Sequence, residues 1–122
     1  MKCPHKKDCG LEHTSVDIDD VDVRKPPRIR TRPCVIECAH YRVSASGKGL
    51  HVAFCVRIHG DKADKVAQLF GLRIFNLDDP WRLYYDLWRF LKSGDIRYAR
   101  GALFDVKNGK KAGQWRNLAW GH

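Results

Sequence analysis

The sequence predicts an α+β fold, with a mainly antiparallel sheet and two helices packed on one face of that sheet. Two long runs rich in β-branched and aromatic residues, 34–44 and 49–59, predict paired strands. Two segments with the helical spacing of apolar residues follow, at 60–71 and 78–94. Residues 95–115 then predict a strand, a loop and a short strand. With one further strand at the start of the chain, the order is strand, hairpin, helix, helix, strand.

The first predicted strand is SVDIDDVDV, residues 15–23, in which apolar residues alternate with aspartates. The alternation is strict from Val16 to Asp19, so one face of this strand is acidic. The next segment, 24–33, is RKPPRIRTRP, and its prolines predict a connection without regular structure. The basic residues of this connection are candidates for neutralising the phosphates of a nucleic acid: Arg24, Lys25, Arg28, Arg30 and Arg32.

The two helices have recognisable start and stop signals. Asp61 is the predicted N-cap of the first helix, and Gly71 is its predicted end. Asp79 is the predicted N-cap of the second helix, Pro80 occupies its first position, and Gly94 closes it. The second helix is rich in aromatic residues, which also makes it suited to association with another chain.

Composition limits the classes of function. The chain has 122 residues and a net charge of +9, from 23 Lys and Arg against 14 Asp and Glu. One basic domain of this size favours a polyanionic partner, above all nucleic acid. No apolar run approaches the roughly 20 residues that a membrane span needs, and the N-terminus lacks the apolar core of a secretory signal. We therefore expect a soluble cytoplasmic protein without a membrane partner.

Residues 1–14 form a polar arm that precedes the core domain predicted for 15–122. Cys3, Cys9 and His13 have part of the spacing of a zinc knuckle, since zinc accepts mixed thiolate and imidazole ligands. The candidates for a fourth ligand are His5, Cys34 and Cys38. A flexible arm, or a disulfide between Cys3 and Cys9, is the alternative.

Asp17 and Asp19 are the first candidates for chemistry. Alternate residues of a strand point to the same face, about 7 Å apart along the chain. Two carboxylates so placed repel each other unless a cation lies between them. Mg²⁺ and Mn²⁺ prefer such oxygen ligands and keep positions open for phosphates. The alternative is an exposed, solvated acidic face.

The turn of the hairpin, SASGKGLHV at 44–52, offers the complementary groups. A glycine-rich turn can direct backbone N–H groups and the Ser46 hydroxyl toward a phosphate oxygen. Lys48 adds a positive charge, and the imidazole of His51 can donate a hydrogen bond. The alternative is an ordinary glycine-rich hairpin with an exposed lysine.

Together, VDIDD and SASGKGLHV resemble the archaeo-eukaryotic primase superfamily, and are most similar in motif to the primase-polymerase domains of bacterial end-joining ligases. The resemblance implies an RRM-like catalytic core in which Asp17 and Asp19 bind two divalent metal ions. It also implies that Ser46, Lys48 and His51 hold the phosphates of the incoming nucleotide, with His51 among the catalytic residues.

A third segment, DIRYARGALF from residue 95, resembles the D-x-x-R-N-x-R-G segment of the same ligase-associated domains. This resemblance implies that Asp95 is the third metal ligand and that Arg97 and Arg100 contact the nucleotide. Asp105, which also follows an apolar stretch, is the alternative ligand.

The function that this resemblance implies is metal-dependent nucleotidyl transfer of primase-polymerase type, in replication or repair. The expected cofactor is Mg²⁺ or Mn²⁺, and the expected partners are nucleoside triphosphates and a template or primer. The chain is close to the bare core of the family. It is therefore a minimal primase, a part of a larger replication assembly or homo-oligomer, or a non-catalytic relative that binds nucleic acid. A metal-dependent nuclease also uses paired carboxylates and is a further alternative.

Overall fold

The computed structural model describes residues 11–118. Three long strands and a short fourth strand form an antiparallel sheet in the order β1-β3-β2-β6, and a separate two-stranded hairpin joins β4 to β5. The strands are β1 (Glu12–Asp19), β2 (Val35–Val43), β3 (Gly49–Arg57), β4 (Val106–Lys107), β5 (Lys110–Lys111) and β6 (Arg116–Asn117). The helices are α1 (Lys62–Phe75), α2 (Pro80–Ser93) and α3 (Arg97–Arg100).

The hydrophobic core lies between one face of the sheet and the helices. Val16 of β1 and Phe54 of β3 are fully buried there against Leu69 of α1. Leu83 and Phe90 of α2 are partly buried against the same core. The predicted α+β class, with an antiparallel sheet and two main helices, is therefore confirmed.

The local signals at the helix ends are confirmed as well. Asp61 caps α1 in a capping box, because its carboxylate accepts from the backbone N–H of Asp64 while the Asp64 carboxylate accepts from Asp61. Asp79 caps α2 by accepting from the backbone N–H of Trp81 at 2.9 Å. Gly94 ends α2 in the left-handed conformation, with φ of 70°.

Three predicted boundaries were wrong. The first strand was predicted for 15–23, but β1 covers Glu12–Asp19 and residues 12–14 of the predicted arm belong to the sheet. The strand ends because Asp20 has a positive φ of 56°, and the chain then turns with a hydrogen bond from Lys25 N to Asp22 O.

Gly71 does not end the first helix, which continues to Phe75. Leu72 and Arg73 are both buried, so tertiary packing favours another turn of helix. A Cβ atom on Gly71 would lie 3.0 Å from Cγ of Pro33, which shows why a residue without a side chain fits here.

The strand predicted to begin at residue 95 was also wrong, because the short helix α3 takes its place. The Asp95 carboxylate accepts from the backbone N–H of Arg97 at 3.0 Å, and the Asp95 carbonyl accepts from Tyr98 N at 3.2 Å. These bonds start a helical turn rather than an extended strand.

The 24–33 connection has no regular structure, as predicted. Asn76, at the end of α1, holds it in place: its Oδ1 accepts from Arg30 N at 2.6 Å, and its Nδ2 donates to Arg30 O at 3.0 Å. Within residues 11–118, no helix has the length and apolar character that crossing a membrane requires.

Candidate functional site

The site is built on a row of residues that crosses the three long strands. Asp17 of β1 is directly opposite His51 of β3, which is directly opposite Arg42 of β2. Val16 and Val52, one position away, face the core. Because side chains alternate along a strand, the row faces the other side of the sheet. Two motifs that are distant in sequence are thus adjacent in space.

A cavity of about 950 Å³ opens over this row. The β1 carboxylates, the hairpin turn and His51 form one side of it. The other side carries basic and aromatic side chains from α2, α3 and the segment that follows, together with the carboxylates of Asp79 and Asp86. The basic and aromatic residues on that second side are Arg82, Tyr85, Arg89, Arg97, Tyr98, Phe104 and Lys107. The cavity therefore combines acidic, basic and aromatic walls.

The acidic wall, which consists of the carboxylates of Asp17, Asp19 and Asp79, has uncompensated negative charge. Burial, followed by the charge of Asp19, raises the pKa of Asp17 to about 6. Burial also raises the pKa of Asp19, followed by the charge of Asp79 and a hydrogen bond with it. Oδ1 of Asp17 is buried and accepts no hydrogen bond from the described residues. Burial and the proximity of other carboxylates thus both disfavour the ionised forms of Asp17 and Asp19.

His51 is held in a defined state by Arg42. Nδ1 of His51 accepts from Nε of Arg42 at 3.0 Å, and a guanidinium can only donate. The hydrogen of the neutral ring is therefore on Nε2, which lies 3.8 Å from Oδ1 of Asp17. Burial, and then the charges of Arg42 and Arg82, lower the pKa of His51 to about 4. At neutral pH this imidazole is an uncharged donor that faces the acidic wall.

The hairpin turn places its hydroxyl groups at the cavity, while three of its backbone N–H groups form hydrogen bonds within the hairpin. Ser44 and Ser46 line the cavity, with their Oγ atoms 3.0 Å apart. The N–H groups of Gly47 and Gly49 donate to the carbonyl and Oγ of Ser44, and that of Lys48 donates to Ser46 Oγ. These three N–H groups thus form hydrogen bonds within the hairpin, in contrast to the expectation that they are directed at a phosphate.

Gly49 is required by the close approach of β1 and β3. A Cβ atom at this position would lie 2.5 Å from the backbone oxygen of Ile18 and 3.3 Å from Oδ1 of Asp19. Because the nearest atom is backbone, it has little freedom to move away. The glycine therefore lets the turn come close to the β1 carboxylates.

A buried ionic network positions the acidic wall. Asp78 accepts from Nε of Arg73 and from Nη1 of Arg82, both at 2.8 Å. The same carboxylate accepts from the backbone N–H of Asp17 at 2.8 Å. Arg73 also donates to Asp86 of α2 at 2.7 Å, and Arg82 donates to Ser15 Oγ at 2.6 Å. This network fixes β1 to the helices at the point where the site begins.

The structure brings some of the predicted site residues together and leaves others apart. Asp17, Asp19, Ser46, His51 and Arg97 line the cavity. Three predicted residues do not line it. Lys48 is exposed on the turn, Arg100 pairs with Glu12 at 2.8 Å, and Asp95 pairs with Arg97 at 2.6 Å. The alternative ligand Asp105 accepts from Nη1 of Arg42 at 2.7 Å and is thereby linked to His51.

The residues predicted to contact nucleic acid are on a different surface. Lys25, Arg28 and Arg30 line a second cavity of about 630 Å³, together with the exposed side chains of Phe75 and Leu77. Arg24 pairs with Asp22 at 3.0 Å. Cys3, His5 and Cys9 lie outside the described residues. Of the predicted zinc ligands the structure therefore describes His13, the second residue of β1, and the candidate fourth ligands Cys34 and Cys38.

The acidic wall offers oxygen ligands to a divalent cation. The donors are carboxylate oxygens, which Mg²⁺ and Mn²⁺ prefer, and the buried Oδ1 of Asp17 is left without a hydrogen-bond donor. Within 11–118, however, no three His, Cys, Asp or Glu side chains form a ready-made metal site. The donors thus fit a cation that takes part of its ligands from water or from a bound phosphate.

Sequence reasoning missed four residues of this site. Asp79 was assigned only as a helix cap, and its proximity to Asp19 depends on where α2 starts. Ser44 is in the quoted turn motif and was detectable there. Arg42 and Arg82 lie in a strand and a helix, and no local signal distinguishes them from ordinary surface arginines.

Comparison with protein-family models, with curated proteins and with solved structures gives no match for this chain. The resemblance to primases therefore rests on the short motifs, and the functional argument rests on the geometry of the cavity.

Proposed function

We propose that this protein is a metal-dependent nucleotidyltransferase of primase-polymerase type, which acts on nucleic acid in the cytoplasm. The observation that carries the proposal is the pairing of Asp17 with His51 across β1 and β3. This pairing brings the aspartate motif and the glycine-rich hairpin motif to one cavity. Both motifs contribute the groups that a nucleoside triphosphate with its divalent cation requires.

The acidic wall supports a cation at this position. Burial, and then the negative charges of neighbouring carboxylates, raise the pKa values of Asp17 and Asp19, so their charges are poorly matched. A divalent cation would remove that mismatch and favour both carboxylates in their ionised form. Asp79 is the third carboxylate of the proposed ligand group, in place of Asp95, because its side chain reaches Asp19.

The opposite wall supports the triphosphate and the base. Arg82, Arg89 and Arg97 line the cavity and can neutralise phosphate charge. Tyr85, Tyr98 and Phe104 offer aromatic surface to a nucleobase. His51 donates through Nε2 to a phosphate oxygen, since its other nitrogen is occupied by Arg42. The two serines of the turn add hydroxyl donors beside it.

Nucleotidyl transfer needs mainly positioning and neutralisation of charge. A pair of divalent cations supplies stabilisation of the attacking and leaving oxygens in such reactions. In this chain Asp17, Asp19 and Asp79 would hold the cation, Arg89 and Arg97 would orient the triphosphate, and His51 would donate a hydrogen bond to it.

A non-catalytic nucleotide-binding protein is the second candidate. One observation favours it: the described residues contain no ready-made group of three metal ligands. Such a protein would bind the nucleotide in the same cavity without transferring it.

The first experiment is calorimetric titration of a nucleoside triphosphate, with and without Mn²⁺, on four proteins. They are the wild type, Asp17→Asn, Asp79→Asn and Asp95→Asn, and asparagine at 79 still caps a helix. Binding that needs Mn²⁺ and is lost in Asp17→Asn supports the site. Loss in Asp79→Asn but not in Asp95→Asn identifies the third carboxylate. Binding by no protein in any condition rejects the proposal.

The second experiment separates the two candidate functions. Incorporation of labelled nucleotide on a single-stranded template, with and without a primer, is measured for wild type and His51→Gln. Wild-type incorporation that His51→Gln reduces by tenfold or more supports the transferase. Tight, Mn²⁺-dependent binding without incorporation supports the non-catalytic protein.

A further inference from the structure

Helix α2 exposes an apolar face that is unusually large for a protein of this size. None of its residues is buried. Six large side chains on this face are between 44% and 72% exposed: Trp81, Tyr84, Tyr85, Leu87, Trp88 and Leu91. Contiguous apolar patches of this kind mark interaction surfaces. We call these six residues the α2 face.

The spacing along the α2 face is that of a helix-pairing seam. Trp81, Tyr84, Trp88 and Leu91 follow each other at intervals of three, four and three residues. This is the a/d pattern of two heptads, in which each side chain packs between side chains of a facing helix. A partner with a matching helical seam fits this surface.

We propose that the α2 face is the interface of a homodimer, in which α2 of one copy packs antiparallel against α2 of a second copy. A second copy supplies the matching seam without any further component. Antiparallel pairing also places Lys92, in the last turn, opposite the first turn of the other copy, where Asp79 caps the helix.

The exposed area agrees with a weak but specific dimer. The six side chains are each about half exposed, and each would bury roughly 100 Å² when two copies pair. The interface would then bury about 600 Å² per copy and about 1,200 Å² for the pair. This is at the lower limit of stable interfaces. We therefore expect dissociation in the micromolar range.

The arrangement favours protein over nucleic acid on this surface. Two of the six side chains are leucines, which offer no ring for a base to stack on. Arg82 and Arg89 point away from the seam and line the cavity instead. Of the six residues, Tyr85 also lines the cavity, whereas the four residues of the seam do not. Pairing through those four residues thus leaves the proposed nucleotide cavity open, and the dimer does not depend on nucleotide binding.

The test is sedimentation velocity on the full chain from about 1 µM to 500 µM. Leu91→Glu introduces a charge into the seam at a side chain that is 72% exposed, so the fold should survive. Leu77→Glu is the matched control, because Leu77 is 74% exposed and lies outside α2. Circular dichroism verifies that both variants retain wild-type helix content.

We expect the wild type and Leu77→Glu to dimerise, and Leu91→Glu to dimerise at least tenfold more weakly. Hydrogen exchange of the α2 amides should slow as the wild-type concentration rises. A wild type that is monomeric throughout the range overturns the proposal. A dimer that persists in Leu91→Glu also overturns it. So does protection of the α2 amides that is seen only when a single-stranded oligonucleotide is present.

Discussion

The end of β1 and the turn between α2 and α3 both carry aspartates, in opposite electrostatic environments. Burial raises the pKa of Asp17 to about 6. Hydrogen bonds from Arg97, first from its side chain and then from its backbone, lower the pKa of Asp95 to about 2. A carboxylate with its own arginine is already satisfied, whereas the β1 carboxylates have negative charge left to neutralise. The environment, rather than the residue type, distinguishes a candidate cation site from a local ion pair.

The largest expected effect comes from removing the support of the β1 region. Asp78→Ala removes one of the two carboxylates that the fully buried Arg73 contacts, together with the carboxylate that Arg82 contacts, and should destabilise the protein by about 3–5 kcal/mol. Asp95→Ala removes an ion pair at the surface and should lower Tm much less than Asp78→Ala does. Urea unfolding of both variants measures the contrast. Equal losses of stability would show that the buried network does not support this region.

For Asp17→Asn we expect a smaller change in stability, and of opposite sign. Because the folded-state pKa of Asp17 is above its unfolded value, the ionised carboxylate destabilises the fold as pH rises from about 4 to about 6. Without divalent cations, Asp17→Asn should therefore stabilise the protein at pH 7.5 by about 1–2 kcal/mol, and the gain should vanish below pH 4.

Asp95→Asn is the matched comparison for this measurement. Its folded-state pKa is lowered, so ionised Asp95 favours the folded state above pH 4, and the asparagine variant should not be more stable than the wild type. Thermal unfolding between pH 3.5 and pH 8 gives both curves. Stabilisation by Asp95→Asn, or destabilisation by Asp17→Asn, would contradict the assigned environments.

The protonation of His51 has the smallest effect on stability at neutral pH. Its pKa tests whether the β1 region is desolvated as well as acidic. A merely acidic environment would raise the pKa of His51, but burial and the charge of Arg42 lower it to about 4. In the unfolded chain the imidazole of His51 takes up a proton below about pH 6.5, whereas in the folded protein it does so only near pH 4. The free energy of unfolding therefore falls as the pH falls from about 6.5 toward 4. Nitrogen-15 NMR should show the neutral ring with hydrogen on Nε2 down to about pH 5. Titration near pH 6.5 would mean that the site is not desolvated.

Much of the fold could be predicted because its signals are local. The hairpin, the caps at Asp61 and Asp79, and the glycine that ends α2 each depend on a few adjacent residues. Gly71 was misinterpreted because its role depends on Pro33, which approaches from a distant segment. Asp95 was misplaced because a capping aspartate and a strand-terminal aspartate look alike in sequence.

The candidate site could be predicted only in part, for the same reason. The register that brings Asp17 to His51 follows from two recognisable motifs on neighbouring strands. The network of Arg73, Asp78 and Arg82 has no such signal, because these charges become a buried group only when α1, α2 and β1 have packed together.

The contacts that position β1 have a consequence for solubility. β1 is one of the two outermost strands of the sheet, and outermost strands with unpaired backbone groups promote aggregation. On its outer side, the oxygen of Ser15 accepts from Arg82, the N–H of Asp17 donates to Asp78, and the oxygen of Asp17 accepts from Asp79 N. These bonds occupy the positions that a strand from another molecule would otherwise use. The groups that hold the candidate site in place therefore also protect the sheet from edge-to-edge pairing.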